Sequence, residues 1–162
     1  MISDAISFRT EVAGADAARI RALVIAAGNF NAAEIEIAEE LVRERVARGD
    51  DSGYHFVVAE SAGTLVGYAC YGPIPGASGR YDLYWVVVGP ATRRQGLGRD
   101  LIRRVERAIR TAGGTRLYVD TSTSAPYAAA RALYCRLGYG IEATLSDFYA
   151  DGDDKIIFLK QL

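Results

Sequence analysis

The sequence predicts one domain of mixed α and β structure, residues 1–162, with elements in the order β-α-α-β-β-β-α-β-α-β-β. Short apolar stretches rich in β-branched and aromatic residues indicate strands. Apolar residues spaced three and four apart indicate amphipathic helices. At 81–101, a strand leads through a loop rich in Gly and Arg into a helix. A strand-helix-strand unit of this kind crosses over, so its two strands should be parallel and the other pairs mostly antiparallel.

The chain begins with a predicted strand and two predicted helices. Apolar residues alternate at about 6–12, which indicates a strand. A helix follows from near Asp16 to about Ala27, and Gly28-Asn29 ends it. Asn31 can cap a second helix. The apolar residues expected to form the buried stripe of this second helix are Ile35, Ala38, Leu41, Val42 and Val46.

A hairpin and the central strand come next. The apolar stretches at 54–60 and 65–71, joined by Ser61-Ala62-Gly63-Thr64, have the spacing of an antiparallel hairpin. The sole histidine, His55, lies at the edge of the first stretch, where we expect a partly exposed structural residue. The stretch at 83–88 is apolar, aromatic and β-branched, which is typical of a buried strand.

The remaining elements complete the order. A helix follows Gly98, and the charged residues expected on its outward face are Arg99, Arg103, Arg104, Glu106, Arg107 and Arg110. A strand is predicted at 115–121 and a helix at about 126–137, with Pro well placed at its start. The stretches at 141–149 and 155–160 indicate a second hairpin.

Composition and charge limit the classes of function. Apolar residues make up 50% of the chain and the formal net charge is -1, so no overall basic field exists that would recruit nucleic acid. No run of about 18 apolar residues and no leader-like N-terminal segment occur, so neither a membrane span nor a secretory signal is expected. Cys70 and Cys135 fit no zinc or redox spacing. This favours two reduced thiols in a cytoplasmic protein without a metal, with a single disulfide as the alternative.

The loop after the central strand has the features of an anion site. Gly89-Pro90 stops the strand, and the pair Arg93-Arg94 precedes Gly96 and Gly98, where the helix begins. A helix N-terminus offers unpaired N–H groups and a positive dipole end. Glycines permit a close approach of the backbone, and arginines supply charge-assisted donors. The segment lacks the Lys of a Walker loop and the third Gly of a dinucleotide loop.

Two motifs resemble segments of the GNAT acetyltransferase superfamily. Arg93-x-x-Gly96-x-Gly98, placed after Val88-Gly89-Pro90, closely resembles the coenzyme A pyrophosphate loop of that family. Ala130-x-x-Leu133-Tyr134-x-x-x-Gly138-Tyr139 resembles its A-x-x-F-Y-x-x-x-G-F segment. The predicted element order is also that of the family, so the resemblance covers nearly the whole chain. It implies an α/β fold of the α+β type, with a mixed, mostly antiparallel sheet of six to seven strands flanked by four helices.

The resemblance implies acetyl-CoA as co-substrate and assigns residues to it. The central strand would splay from its parallel neighbour and pair with the pantetheine arm through the main chain of Val86, Val87 and Val88. The pyrophosphate would be bound by the N–H groups of Arg94, Gln95, Gly96, Leu97, Gly98 and Arg99, assisted by the side chains of Arg93 and Arg94. Three residues before Ala130 the family commonly has Asn. This chain has Tyr127 there, a coenzyme position that departs from the pattern.

The resemblance also implies catalytic roles. Tyr134 matches the Tyr that points at the coenzyme sulfur, which makes it the general acid that protonates the departing thiolate. A phenol with a pKa of about 10 can donate to a thiolate of comparable basicity. The acceptor amine must also lose a proton, and some relatives use a carboxylate at the position of Asp120. Asp82 and Tyr84 on the central strand are rivals, and strand alternation places both on one side of the strand.

In the family, acceptor recognition comes from the first helix pair, the loop before the central strand and the last hairpin. The aromatic candidates here are Phe30, Tyr84 and Phe148, which would suit a cationic amine, although loop packing explains them equally well.

The leading hypothesis is an acetyl-CoA-dependent N-acetyltransferase that acts on a primary amine of a small molecule or peptide by direct attack in a ternary complex. The alternative is a non-catalytic acyl-CoA-binding regulatory module. A toxin-like enzyme acting on charged tRNA is disfavoured by the net charge of -1. We therefore expect an amine substrate, with neither nucleic acid nor membrane as a partner. A homodimer stays open, because dimers are frequent among relatives.

Overall fold

The computed structural model describes residues 5–162, and its elements follow the predicted order. Residues 1–4, which start the segment assessed for a secretory signal, lie outside the described part. The helices are α1 (Gly14–Ala27), α2 (Ala32–Arg48), α3 (Leu97–Thr111) and α4 (Ala128–Arg136). The strands are β1 (Ile6–Arg9), β2 (His55–Ser61), β3 (Thr64–Pro73), β4 (Arg80–Val88), β5 (Arg116–Ser122), β6 (Gly140–Ala150) and β7 (Asp153–Gln161).

The seven strands pair in the order β1-β2-β3-β4-β5-β7-β6. The pairs β1–β2, β2–β3, β5–β7 and β6–β7 are antiparallel, and β4 pairs with β5 in parallel over Arg80–Asp82 and Arg116–Tyr118. This mixed, mostly antiparallel sheet with four helices confirms the predicted α+β fold. Among the described residues, no helix combines the length and the apolar character that crossing a membrane requires.

The chain divides into two compact units. The first unit contains the residues up to Gly72 together with Trp85–Val105. The second unit contains Pro73–Tyr84 and Glu106–Leu162. The boundary therefore falls within β4 and within α3.

In the first unit, α1 and α2 cover one face of β2 and β3. The buried residues of this core include Ile20, Val24, Val42, Phe56 and Tyr68. The predicted cap of α2 is confirmed, because the Asn31 side chain accepts a hydrogen bond from the Glu34 N–H (2.8 Å) and Glu34 accepts one from the Asn31 N–H (2.8 Å).

Two sequence predictions about the first unit are wrong in detail. Val46 is 47% exposed and does not belong to the buried stripe of α2. Residues four apart advance by about 40° around an α-helix, so Val46 has turned by about 80° from Ala38. β1 ends at Arg9 instead of continuing to about residue 12, because its pairing with β2 stops there and α1 begins at Gly14.

The hairpin prediction for β2 and β3 is confirmed. Ala62 and Gly63 form the two-residue connection and have positive φ angles of 47° and 77°. Positive φ at both central residues matches the twist of the flanking strands.

The second unit buries Ile109, Leu117, Val119 and Phe158. The prediction that Glu106 faces outward from α3 is wrong, because this residue is only 3% exposed. Its carboxylate is held inside by hydrogen bonds from Tyr139 and Lys160, so its burial does not leave a charge unpaired.

Candidate functional site

The loop between β4 and α3 is fixed at its start by β3. The Gly89 N–H donates to Val66 O (2.8 Å), and the Thr92 hydroxyl donates to the same oxygen (3.3 Å). Between these residues the chain makes a short 3-10 turn at Pro90–Thr92. The loop therefore leaves the sheet in one defined direction.

The end of this loop presents free backbone donors. Arg94 and Gly96 have positive φ angles of 61° and 81°. The first hydrogen bond of α3 runs from the Asp100 N–H to Gly96 O (3.0 Å), so the N–H groups of Leu97 and Gly98, and that of Arg99, have no partner within the helix. These donors and the positive end of the helix dipole favour a bound anion.

The three arginine side chains of the loop, Arg93, Arg94 and Arg99, have different contacts. Arg93 and Arg94 are both exposed, and the Arg93 guanidinium donates to Ala27 O at the end of α1 (2.7 Å). Arg99 Nε donates to Asp100 Oδ1 (3.0 Å). A Cβ added at Gly96 would lie 2.9 Å from the Arg99 guanidinium, so the glycine leaves room for that side chain over the loop. Within the described part of the chain the Arg94 side chain forms no ion pair or hydrogen bond, so it can meet an anion.

The main chain at the end of β4 approaches β3 closely. A Cβ at Gly67 would lie 3.1 Å from Val87 O and 3.0 Å from Leu97 Cδ2. Within the apolar stretch of β4, Leu83 and Val87 are buried, Tyr84 is exposed and the remaining residues are half-buried, so the strand is buried mainly on one side. The side chains of Val86 and Val88 are half-buried.

Tyr134 lies in the last turn of α4 and is buried. Its ring packs against Phe158 (centroids 5.5 Å apart) and Tyr139 (5.8 Å). Burial raises the pKa of Tyr134 to about 12. The phenol therefore keeps its proton at neutral pH, but the raised pKa also makes it a weaker acid than a free tyrosine, so the expected match to a thiolate is poorer. Tyr127 precedes α4 and occupies its N-terminal cap position.

The two candidate bases belong to one electrostatic cluster in the second unit. Asp120 lies 2.8 Å from Lys155 Nζ, and its side chain is 45% exposed. Asp82 is half-buried, and burial and the charge of Asp120 raise its pKa, with Lys155 opposing. Lys155 Nζ also lies 4.2 Å from the centre of the Phe148 ring.

The aromatic candidates for acceptor binding differ in exposure. Phe148 is exposed and makes an edge contact with Tyr149 (5.0 Å), and Tyr84 is exposed on β4. Phe30, in the first unit, is half-buried and packs against Trp85 (5.0 Å). Phe148 and Tyr84 are therefore the exposed members of this group, whereas Phe30 packs against the first-unit core.

His55 has the partly exposed structural environment that the sequence predicts. Its ring stacks on Tyr71 (centroids 5.4 Å apart), and Nδ1 lies 3.9 Å from an Asp50 oxygen. Burial lowers its pKa first, the charge of Arg45 lowers it further, and Asp50 opposes both.

Sequence reasoning missed Lys155 and the group around Glu106. A signal was present, because Lys155 and Lys160 are the only lysines of the chain and they flank the apolar stretch 156–159 of β7. Both lysines bind carboxylates, Lys155 that of Asp120 and Lys160 that of Glu106.

The comparisons with family models and with solved structures point to one family. The model of the acetyltransferase (GNAT) family matches residues 22–139. A comparison with curated protein sequences finds no significant match.

Solved structures resemble the chain over nearly its full length. A protein from Desulfovibrio desulfuricans assigned to the GNAT-family acetyltransferases shares 43% identity and a TM-score of 0.95, covering 97% of this chain and 99% of that one. The ribosomal-protein-S18-alanine N-acetyltransferase of Escherichia coli has 21% identity and a TM-score of 0.78, with 97% and 94% covered. YncA of Salmonella typhimurium, solved with acetyl-CoA, has 22% identity and a TM-score of 0.76, with 98% and 94% covered.

Proposed function

We propose that this chain, which belongs to the acetyltransferase (GNAT) family, is an acetyl-CoA-dependent N-acetyltransferase that acts on a primary amine of a small molecule or peptide. The amine attacks the thioester directly in a ternary complex. A covalent acyl-enzyme is disfavoured, because Cys70 is buried and burial raises its pKa, while Cys135 lies in no motif for such chemistry.

The observation that carries this proposal is the loop from Val88 to Arg99. It combines positive φ at Arg94 and Gly96 with the N–H groups that precede the first hydrogen bond of α3. This arrangement suits the pyrophosphate of coenzyme A. The Arg94 side chain adds charge, and the main chain of 86–88 is the proposed partner of the pantetheine arm.

The proposed roles within the second unit follow from chemistry. Tyr134 protonates the departing thiolate, for which a neutral buried phenol is suited. Asp82 or Asp120 removes the proton of the acceptor amine, and Phe148 and Tyr84 contact the rest of the acceptor. Tyr127 takes the place at which relatives contact the coenzyme through Asn.

The proposal also covers the location, the domain extent and the partners of the protein. We place the activity in the cytoplasm, in one domain of 1–162, with no metal, nucleic acid or membrane required and a homodimer as one possible assembly. A relative of similar fold acts on the alanine of a ribosomal protein, which makes a peptide amine a reasonable acceptor to test. Small amines are the other class.

The test is release of free thiol from acetyl-CoA in the presence of a panel of amines and peptides, with calorimetric titration of acetyl-CoA alongside. We compare the wild-type protein with Tyr134→Phe. The matched control is Tyr68→Phe, which makes the same change at a buried tyrosine of the first-unit core. The proposal predicts amine-driven thiol release that Tyr134→Phe loses and Tyr68→Phe keeps.

Each contrary outcome has a meaning. Binding of acetyl-CoA without any turnover would favour the non-catalytic coenzyme-binding module. Unchanged turnover in Tyr134→Phe would leave the transferase and remove the acid role of Tyr134. Absence of acetyl-CoA binding would overturn the assignment of the loop.

A further inference from the structure

Tyr134 makes two contacts with Tyr139, one between the rings and one between the main chains. The two rings lie 5.8 Å apart, and the Tyr139 N–H donates to Tyr134 O (3.0 Å). Between them the chain reverses at Gly138, whose φ of +88° ends α4. The position of the Tyr134 side chain therefore depends on its packing against the rings of both Tyr139 and Phe158.

Tyr139 is itself anchored at its far end. Its hydroxyl donates to Glu106 Oε1 (2.9 Å), and this oxygen also accepts a hydrogen bond from Lys160 Nζ (2.9 Å). Arg110 lies 3.9 Å from the other oxygen of the carboxylate. These bonds link the Tyr139 ring to Glu106 on α3 and, through Glu106, to Lys160 on β7.

Packing alone does not require this anchor. A Phe at position 139 would fill nearly the same volume without the hydroxyl. Instead the chain buries a carboxylate and the phenol that binds it, and burial of a carboxylate is costly unless it is paired. The hydrogen bond from the Tyr139 hydroxyl to the buried Glu106 carboxylate holds the Tyr139 ring in one orientation.

We propose that Tyr139 is a positioning residue that, held by Glu106, keeps the phenol of Tyr134 aligned for proton donation. This inference rests on the proposed function, because it gives Tyr134 the role of general acid. It goes beyond that function by assigning a part in the reaction to Tyr139 and Glu106, which lie outside the contacts proposed for the coenzyme and the acceptor. A displacement of about 1 Å in a reacting group can cost about a hundredfold in rate.

The test compares kcat and KM in the thiol-release assay for Tyr139→Phe, Tyr134→Phe and the double variant. We expect Tyr139→Phe to lower kcat about tenfold without changing KM for acetyl-CoA. The double variant should be no slower than Tyr134→Phe alone, because the effect acts through the Tyr134 hydroxyl. Glu106→Gln, which keeps an acceptor oxygen but loses the charge, should lie between wild type and Tyr139→Phe. Tyr68→Phe is the control and should match wild type.

The outcomes separate this inference from the proposed function. If Tyr134→Phe lowers kcat but Tyr139→Phe keeps the kcat of wild type, the positioning role is overturned and the proposed function is not. Losses that multiply in the double variant also overturn it, because a merely structural defect would act independently of Tyr134. A Tyr134→Phe of wild-type rate overturns the acid role first, and the positioning role falls with it.

A second measurement needs no acceptor. The protein is labelled with 3-fluorotyrosine, and the ¹⁹F signal of Tyr134 is identified by its loss in Tyr134→Phe. A held ring gives slow exchange between its two orientations, and we expect Tyr139→Phe to speed this exchange while Tyr68→Phe leaves it unchanged. An unchanged exchange rate in Tyr139→Phe would contradict the proposal even if no acceptor had been found.

Discussion

Lys155 Nζ lies 2.8 Å from Asp120 Oδ2, so one of the two candidate bases carries its own counter-ion. The same ammonium lies over the Phe148 ring. Asp82 has no such direct partner among the described ion pairs, and burial and the charge of Asp120 raise its pKa. A raised pKa makes a carboxylate a stronger base near neutral pH, which favours Asp82 for proton removal.

We predict that Asp82→Asn lowers kcat for amine acetylation by about 100-fold, the range typical of a lost general base. The same change at Asp120 should cost much less, because that carboxylate already binds Lys155. Steady-state thiol release for both variants checks this. A larger loss in Asp120→Asn than in Asp82→Asn would reverse the assignment.

The pH dependence of kcat tests the same cluster through the direction in which it shifts. A carboxylate base works when ionised, so activity falls as the pH drops through its pKa. Asp120→Asn removes a charge that raises the pKa of Asp82, so the acidic limb of kcat should move to lower pH. Lys155→Met removes a charge that lowers this pKa, so the limb should move to higher pH. Shifts of the same sign in both variants would contradict the prediction.

For the coenzyme loop, we predict that Arg94→Ala weakens acetyl-CoA binding by about tenfold, the effect of one charge-assisted contact. Arg93→Ala should weaken it less, because its guanidinium is bound to Ala27 O. Calorimetric titration measures both, and Arg103→Ala on the exposed side of α3 controls for the loss of one positive charge. An equal loss in Arg93→Ala would mean that this side chain leaves Ala27 when the coenzyme binds.

Asp16 is expected to stabilise the junction of β1 and α1. It is 3% exposed and accepts hydrogen bonds from both terminal nitrogens of Arg9 (2.9 and 2.8 Å) and from the Ala13 N–H (2.8 Å). Burial alone would raise its pKa, but these bonds and the charges of Arg9 and Arg19 lower it below the ordinary value. Asp16→Asn should therefore reduce the free energy of unfolding by about 2–3 kcal/mol at pH 7.

The sign of the pH dependence follows from the lowered pKa of Asp16. Its contribution is fully present above the unfolded value of about 4 and is lost as the pH falls through the lower folded value. Urea unfolding of wild type and Asp16→Asn should show a difference that shrinks below about pH 4. A difference that stayed constant down to the lowest pH would show that the ionised carboxylate is not its source.

The sequence was sufficient for features that depend on local pattern. The cap at Asn31, the hairpin turn at Ala62-Gly63 and the loop glycine Gly96 each follow from residue types within a few positions. The burial of Glu106 could not be predicted in this way, because its partners Tyr139 and Lys160 lie 33 and 54 residues away. On a helix with many exposed arginines, its charge alone indicates an outward face.

The same limit applies to the candidate bases. Sequence placed Asp82 and Asp120 on neighbouring strands, but the ion pair that distinguishes them involves Lys155, 35 positions beyond Asp120 in the chain. Only the antiparallel pairing of β5 with β7 brings these two side chains together. A charge on a strand therefore cannot be assigned a role until its cross-strand neighbours are known.

The Tyr68 hydroxyl offers a prediction of increased stability. Its side chain is fully buried in the first-unit core, and within the described part of the chain the hydroxyl has no hydrogen-bond partner. Burial raises the pKa of this phenol, as expected for a group removed from water. An unsatisfied buried hydroxyl costs free energy, so Tyr68→Phe should increase the free energy of unfolding by about 1 kcal/mol.

Tyr139→Phe is the matched comparison for Tyr68→Phe, because it removes a buried hydroxyl that does have a partner, the Glu106 carboxylate. It should lower the free energy of unfolding by about 1–2 kcal/mol, so the two identical substitutions should have opposite signs. Urea denaturation of both variants under one set of conditions measures this. A destabilised Tyr68→Phe would mean that the hydroxyl is satisfied by a buried water, and the opposite signs would then disappear.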